Sequence, residues 1–127
     1  MEVLIDSSIW VDYFRSGKHS ADLDNLIDNN LIVTNDIILA ELIPFLKLKK
    51  QAKTIKLLQN VKLLPLNINW AQIIDFQTMS LKSGTNGIGI PDLIITQNAL
   101  QNNCPVYTLD KHFDALSKIT KVKIYNR

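Results

Sequence analysis

Residues 3–10, VLIDSSIW, join a short apolar run to an acid and two serines. Residues Val3–Asp6 predict a short buried strand. Either Ser7 or Ser8 can cap a helix that starts directly behind this strand and runs to about Phe14. A buried strand followed at once by a helix is typical of an α/β fold, and here it leaves the carboxylate of Asp6 at the junction.

The same alternation of strands and helices continues along the chain. The predicted strands are Val3–Asp6, Leu31–Thr34, Val61–Pro65, Val106–Thr108 and Val122–Tyr125. The predicted helices are Ser7–Phe14, Ser20–Asp28, Asp36–Leu48, Lys49–Gln59, Asn69–Leu81, Pro91–Gln101 and a short one near Lys111–Leu116. Pro44 should kink the third helix, and Pro91 suits the first position of the sixth. The pattern predicts one domain over residues 1–127, an α/β sandwich around a mostly parallel sheet.

Composition and segment patterns argue against a membrane-spanning, a secreted or a disulfide-stabilised protein. Of 127 residues, 46% are hydrophobic and 20% are charged, which is ordinary for a globular domain. No apolar run reaches the roughly 20 residues of a membrane span, and the start Met1–Val3 lacks the basic segment of a signal peptide. The single cysteine, Cys104, excludes an internal disulfide and fits a reducing compartment. We therefore expect a cytoplasmic protein with no membrane contact.

Four carboxylates lie inside or at the edge of apolar segments. They are Asp6 after Val3–Ile5, Glu41 within Ile37–Ile43, Asp92 within Ile90–Ile95, and Asp110 after Val106–Leu109. A charge in such surroundings costs several kcal/mol unless it is neutralised or meets a counter-charge. No lysine or arginine shares these segments. A divalent cation held by the carboxylates, Mg²⁺ or Mn²⁺, is the simplest compensation.

The positions of these acids predict one shared crevice. In a parallel sheet, ligands bind beyond the carboxyl ends of the strands, and both Asp6 and Asp110 directly follow strands. Asp6 and Asp110 could instead cap a helix or close a turn, and Asp92 near a helix start could instead interact with the helix dipole. Glu41 lies too deep in its helix to act as a cap and shares a face with Ile38, so it is the strongest candidate.

A carboxylate cluster of this kind suits phosphodiester hydrolysis. One ion activates a water, and a second ion, roughly 4 Å away, stabilises the leaving oxygen. The net charge is +2, from 14 basic and 12 acidic residues, and the chain without the four embedded acids carries +6. This excess of positive charge on the rest of the chain favours binding of a polyanionic substrate, or it serves only solubility. Lys49, Lys53 and Lys56 share a predicted helix face that could guide a phosphate backbone, although a solvated face explains them as well.

Four segments in this order and spacing resemble the PIN domain family, and within it the VapC-like ribonuclease toxins of prokaryotic toxin–antitoxin pairs. The segments are Ile5–Val11, Ile38–Leu42, Ile90–Ile95 and Tyr107–Phe113, so the resemblance spans nearly the whole chain. It implies a PIN-like three-layer α/β/α sandwich and a Mg²⁺- or Mn²⁺-dependent endoribonuclease.

The resemblance also implies roles for particular residues. Asp6, Glu41, Asp92 and Asp110 would be the catalytic, metal-binding acids, and Thr108 and Ser7 accessory polar residues. The last family motif often reads Thr-x-Asp-x-Asp-Phe, and here His112 takes the place of the second acid. A second ion would therefore bind weakly, or only together with RNA.

The family further implies a homodimer and a VapB-like antitoxin whose C-terminal segment packs near the site. The sequence agrees with such a partner, since it carries more apolar residues around Pro44 than one helix face can bury. These residues are Leu42, Ile43, Phe45, Leu46 and Leu48.

Two other functions are compatible with parts of the pattern. A PIN-like nuclease that processes RNA without being a toxin would carry the same motifs. A receiver-type signalling domain has a similar length, but it needs an acidic pair after the first strand, where this chain has Ser7 and Ser8, and an acid near mid-chain, where residues 57–68 have none.

Overall fold

Four short parallel strands form the sheet at the centre of the protein. In the computed structural model, which describes residues 1–126, they are β1 (Val3–Ile5), β2 (Ile32–Thr34), β3 (Lys62–Leu63) and β4 (Val106–Tyr107), in the order β3-β2-β1-β4. Arg127, which the predicted domain includes, lies outside the described residues. Receiver-type domains pair their first and third strands, whereas here β3 pairs with β2 and β4 with β1, so that alternative is excluded.

The described residues also form helices that cover both faces of this sheet. Their bounds are α1 (Ser7–Phe14), α2 (Ser20–Asp28), α3 (Asp36–Leu48), α4 (Ala52–Gln59), α5 (Trp70–Lys82), α6 (Ile90–Gln101) and α7 (His112–Thr120). Consecutive side chains of a strand point to opposite faces, yet all three residues of β1 and all three of β2 are buried. Both faces are therefore covered, which confirms the predicted three-layer α/β/α sandwich with a parallel sheet.

Several element boundaries differ from the predictions. The predicted strand Val122–Tyr125 is reduced to one bridge between Val106 and Ile124, and the predicted strand Val61–Pro65 to the two exposed residues of β3. The predicted short helix near Lys111–Leu116 extends to Thr120 as α7.

The other differences concern helix starts and breaks. The predicted helix Lys49–Gln59 begins only at Ala52, because Lys50 adopts a left-handed φ of 55° that an α-helix cannot contain. Pro91 occupies the second helical position of α6 rather than the first, since Gly89 is the residue before the helix. α3 continues through Pro44 to Leu48. No helix within residues 1–126 is long and apolar enough to cross a membrane.

α6 lies in the interior and is buried all round. Seven consecutive residues, Leu93–Ala99, are buried, including three polar ones. One of these, Asn98, accepts a hydrogen bond from the side chain of Asn35 at 2.9 Å and donates one to the backbone of Pro65 at 3.2 Å. Asn35 in turn accepts from the amide of Ile38 at 3.0 Å and so caps α3. This amide pair fixes the start of α3 against the middle of α6.

We expect Asn98→Ala to lower the free energy of unfolding by about 1–3 kcal/mol, because it leaves the buried amide of Asn35 without its acceptor. Chemical denaturation at constant temperature measures this. The matched control is Asn29→Ala on the surface, whose side chain bonds only within its own helix end and should cost less than about 0.5 kcal/mol. Equal losses for the two variants would contradict a structural role for the amide pair.

Candidate active site

Asp6 is held at the carboxyl end of β1 by hydroxyl groups. It is 5% exposed, and its Oδ2 accepts hydrogen bonds of 2.8 Å from both Ser8 Oγ and Thr108 Oγ1. Asp6 also occupies the residue before α1, but its side chain makes no capping bond. The carboxylate is therefore oriented by the hydroxyls of Ser8 and Thr108 and not by a capping bond to the backbone of α1.

The same two hydroxyls bind the segment that follows β4. Ser8 Oγ accepts from the amide of Leu109 at 2.9 Å, and Thr108 Oγ1 accepts from the amide of Asp110 at 2.9 Å. Each hydroxyl thus donates its proton to Asp6 and accepts from a backbone N–H. The sequence pattern named Ser7 and Thr108 as accessory residues and considered Ser8 only as a helix cap. The role of Ser8 in joining the two segments is visible only from its bond with the amide of Leu109, 101 positions away.

Glu41 reaches the same crevice from α3. Its side chain is exposed, which differs from the buried position that the apolar run suggests. Even so, partial burial raises the pKa of Glu41, and the carboxylates of Asp6 and Asp92 raise it further, while a hydrogen bond with Ser7 lowers it. Glu41 therefore lies at the open side of the cluster, where the negative charge of the other acids raises its pKa.

Asp92 enters from the first turn of α6. Burial raises its pKa, as do the carboxylates of Asp110 and Asp6; the charge of His112 and a hydrogen bond with the backbone of Gly89 lower it. The charges of Asp6 and Asp110 act on both Glu41 and Asp92, so the four sequence-predicted acids share one electrostatic environment. At ligand distance, among the described residues, the structure groups only Asp92 and Asp110 with His112; Asp6 and Glu41 are not in this group. The assignment of the four acids as metal ligands stays a prediction.

Asp110 lies between β4 and α7, and His112 is the first residue of α7. Asp110 Oδ1 accepts a hydrogen bond from the amide of His112 at 2.9 Å. Asp110 therefore also closes a turn, which is the role that the sequence offered as an alternative to a site residue. His112 Nδ1 lies 3.5 Å from Asp110 Oδ1 and 3.8 Å from Asp92 Oδ2. One ligand atom from each of Asp92, Asp110 and His112 falls within 4.8 Å of the others. No pattern of neighbouring His or Cys residues could have predicted this group, because Asp92 comes from a different helix.

The donor set fits a divalent cation. Carboxylate oxygens are the preferred ligands of Mg²⁺ and Mn²⁺. Within the part of the chain that the structure describes, no lysine or arginine forms an ion pair with any of the four acids; the imidazole of His112 is the basic side chain beside Asp92 and Asp110. The clustered negative charge is therefore incompletely balanced by protein groups, as expected of a site that binds a cation.

The three predicted RNA-binding lysines lie apart from the acids. Lys49 directly follows α3, about 12 Å along the helix axis from Glu41. Lys53 and Lys56 lie on α4, where they line a shallow groove of about 320 Å³. All three are exposed. Because the left-handed residue Lys50 separates Lys49 from α4, the three lysines do not share the single helix face that the sequence predicted.

Several solved structures share this fold. VapBC2 from Rickettsia felis, bound to a DNA fragment from its promoter, is 21% identical, with a TM-score of 0.78 over 100% of this chain and 99% of that chain. FitAcB from Neisseria gonorrhoeae is 24% identical, with a TM-score of 0.75 over 98% and 96%. VapBC-5 from Mycobacterium tuberculosis, a member of the VapBC family of toxin-antitoxin systems, is 21% identical, with a TM-score of 0.69 over 97% and 96%.

Sequence comparison identifies the family. Among curated proteins, none matches the chain. The model of the PIN domain family, however, matches residues 3–119 and so spans every strand and nearly all of α7. This match includes all four acids of the crevice and the hydroxyls that orient Asp6. On this ground, and in agreement with its fold, the chain belongs to the PIN domain family.

Proposed function

We propose that the protein is a metal-dependent endoribonuclease that hydrolyses RNA phosphodiester bonds, and that it is the toxin of a toxin–antitoxin pair. Membership of the PIN domain family supports a hydrolase acting on nucleic acid. The observation that carries the proposal is the electrostatic interaction among Asp6, Glu41, Asp92 and Asp110, which come from four separate parts of the chain. The choice of RNA rests on the family resemblance of the motifs.

The four acids would hold Mg²⁺ or Mn²⁺, and each would contribute differently. Asp6 is fixed by Ser8 and Thr108, so its oxygen needs no rearrangement to bind an ion. Glu41, at the open side, is placed to bind both the ion and an approaching water. The bound cation would supply the charge that lowers the pKa of a water and stabilises the leaving oxygen. No histidine or cysteine base is then required.

The substrate path would run from this crevice towards the lysines. Lys49, Lys53 and Lys56 add positive charge near the end of α3 and along α4, so a strand bound to Lys49 could extend to Glu41, about 12 Å away along α3. Attraction of this kind is independent of base sequence, so the lysines would contribute affinity and not specificity.

The toxin role draws support from exposed apolar side chains and from the solved complexes. On α3, Leu42 and Leu46 are buried, but Phe45 is 56% and Leu48 is 84% exposed. Val11 and Phe14 on the neighbouring α1 are each 37% exposed. An apolar antitoxin segment, or a second copy of the chain, would cover this surface. A PIN nuclease that processes RNA without an antitoxin remains the alternative function.

Loss of one acid should abolish cleavage while keeping the fold. We expect Asp6→Asn, Glu41→Gln and Asp92→Asn each to reduce metal-dependent cleavage of single-stranded RNA by about 100-fold or more, since even outer-shell partners of metals contribute 10- to 100-fold. Asp110→Asn should be milder, because the last motif is where the chain departs from the family. Cleavage rates of purified variants at saturating Mg²⁺ or Mn²⁺ measure this.

The matched control for these variants is Asp75→Asn, which removes an exposed acid of α5 far along the chain from the motifs. It should cleave like the wild type. Full activity of Asp6→Asn, Glu41→Gln and Asp92→Asn, or wild-type cleavage in excess EDTA, would show that the active site lies elsewhere.

The cost of ionising Glu41 in the folded protein, from burial and from the neighbouring acids, should be measurable without RNA. Because the pKa of Glu41 is raised in the folded protein, its ionised form destabilises the fold; this effect is absent well below its ordinary value of 4.5 and complete above the raised value. In EDTA, Glu41→Gln should therefore melt above the wild type at about pH 7.5, and the difference should close at about pH 4.

Addition of Mg²⁺ or Mn²⁺ at neutral pH should then raise the melting temperature of the wild type more than that of Glu41→Gln, because an ion that binds only the native state stabilises it by mass action. Asp75→Asn again serves as the control and should follow the wild type. An equal response of wild type and Glu41→Gln to the ion would argue against Glu41 as part of a cation site.

The apolar surface of α3 provides a test of the partner. We expect Phe45→Asp to weaken inhibition by the cognate antitoxin by about 2 kcal/mol or more, roughly 30-fold, if Phe45 is an anchor of that interface. Leu81→Asp on α5, where Leu81 is 63% exposed, is the control. Sedimentation of the protein alone should show a homodimer. A monomer whose Phe45→Asp variant is inhibited as well as the wild type would remove this surface from the proposal.

A further inference from the structure

We propose that His112 is a metal ligand, and that Asp92, Asp110 and His112 together hold a first-row transition ion such as Mn²⁺ in preference to Mg²⁺. The inference rests on the proposed function and names the ion and one further ligand of the same site. It concerns a position at which this chain differs from the acidic motif that it otherwise resembles.

The first support is the position of the imidazole. Its Nδ1 faces two carboxylates at once, 3.5 Å from Asp110 Oδ1 and 3.8 Å from Asp92 Oδ2. One donor atom from each of the three residues lies within 4.8 Å of the other two, close to the separation of ligands around one ion. The bond from the amide of His112 to Asp110 Oδ1, at 2.9 Å, keeps both residues on the same side of the turn.

The second support is the loop behind the ring. Gly87 has a φ of +85°, and a Cβ at this position would lie 3.4 Å from Nε2 of His112. The backbone of the loop therefore passes close to the far edge of the imidazole. A side chain there would be strained by the positive φ, so the backbone beside the ring suits glycine. The Nε2 edge of the ring lies towards Gly87, and Nδ1 lies towards the carboxylates.

Ligand chemistry then selects the ion. Mg²⁺ takes oxygen ligands almost exclusively, whereas imidazole is a good ligand for transition ions. Replacement of a carboxylate by a neutral imidazole removes one negative charge, which weakens attraction for every divalent cation. It also adds a nitrogen donor, which compensates only for transition ions. The balance favours Mn²⁺ over Mg²⁺.

A different role for His112 predicts the opposite behaviour. As a protonated side chain it would act as an internal counter-charge to Asp92 and Asp110. Its removal would then strengthen the binding of all divalent cations. As a ligand, its removal must weaken the binding of Mn²⁺ more than that of Mg²⁺.

A spectroscopic experiment tests the ligand directly. Electron spin echo modulation of Mn²⁺ bound to the purified full-length protein detects nitrogen in the first coordination sphere. We expect nitrogen modulation in the wild type and its loss in His112→Asp. His19→Asn is the matched control, because His19 is the chain's other histidine and lies against Tyr107, with 3.3 Å between His19 Nδ1 and the tyrosine hydroxyl. It should keep the signal. Absence of nitrogen modulation in the wild type, or its persistence in His112→Asp, would overturn the proposal.

Binding titrations of the same proteins with Mn²⁺ and with Mg²⁺ provide the second measurement. The preference for Mn²⁺ should fall by roughly tenfold or more in His112→Asp and in His112→Gln, and stay unchanged in His19→Asn. His112 begins α7, where an acid is well tolerated, and His112→Gln keeps a polar side chain without the imidazole, so one of the two variants should fold. Tighter binding of both ions by His112→Gln would identify the counter-charge role instead.

The outcomes separate this inference from the proposed function. If Mn²⁺ binds without nitrogen modulation while the wild type still cleaves RNA with Mg²⁺, the proposed nuclease function stands and the role of His112 is wrong. If neither ion binds and cleavage does not depend on metal, the proposed function itself fails.

Discussion

The parallel pairing of β1 with β4 is the constraint on which the site depends. Leu4 pairs with Val106 and Ile5 with Tyr107, and the amide of Asp6 extends this ladder with a 2.9 Å bond to Tyr107 O. Because parallel strands end at the same edge of a sheet, the residues that follow them, Asp6 and Thr108, emerge side by side. Their 2.8 Å hydrogen bond joins positions 102 residues apart. A shift of this register by one residue would turn Asp6 and Thr108 to opposite faces.

The helices that carry the other acids are held by neutral polar groups. Asn35 lies six residues before Glu41 on α3, and Asn98 six residues after Asp92 on α6, and their 2.9 Å bond links the two helices. Burial raises the pKa of Glu41 and of Asp92 most, and repulsion by the neighbouring carboxylates raises both further. A buried amide pair with satisfied partners can hold the helices in place against this repulsion without adding charge of its own.

The sequence predicts the bounds of a helix best where polar residues flank a clear apolar face. α2 agrees with the predicted Ser20–Asp28 at both ends, since polar residues flank a clear apolar face. The sequence does not predict the break between α3 and α4. Nothing in the lysine-rich run marks Lys50 as the residue that adopts a left-handed conformation. Residues Val122–Tyr125 have the composition of a strand, yet they pair only at Ile124. Strand length depends on the partner that the rest of the fold provides.

The sequence by itself determined the α/β class and the buried strands β1, β2 and β4, and it predicted the four acids as a site, because apolar periodicity and an uncompensated carboxylate in an apolar run are local properties. Only the tertiary structure decided how these acids are held and what surrounds them. Thr108 orients Asp6 from 102 residues away, and His112 faces Asp92 from a different helix. Glu41, buried by its sequence context, is exposed at the open side of the crevice. Contacts of this kind join distant parts of the chain, and no local pattern encodes them.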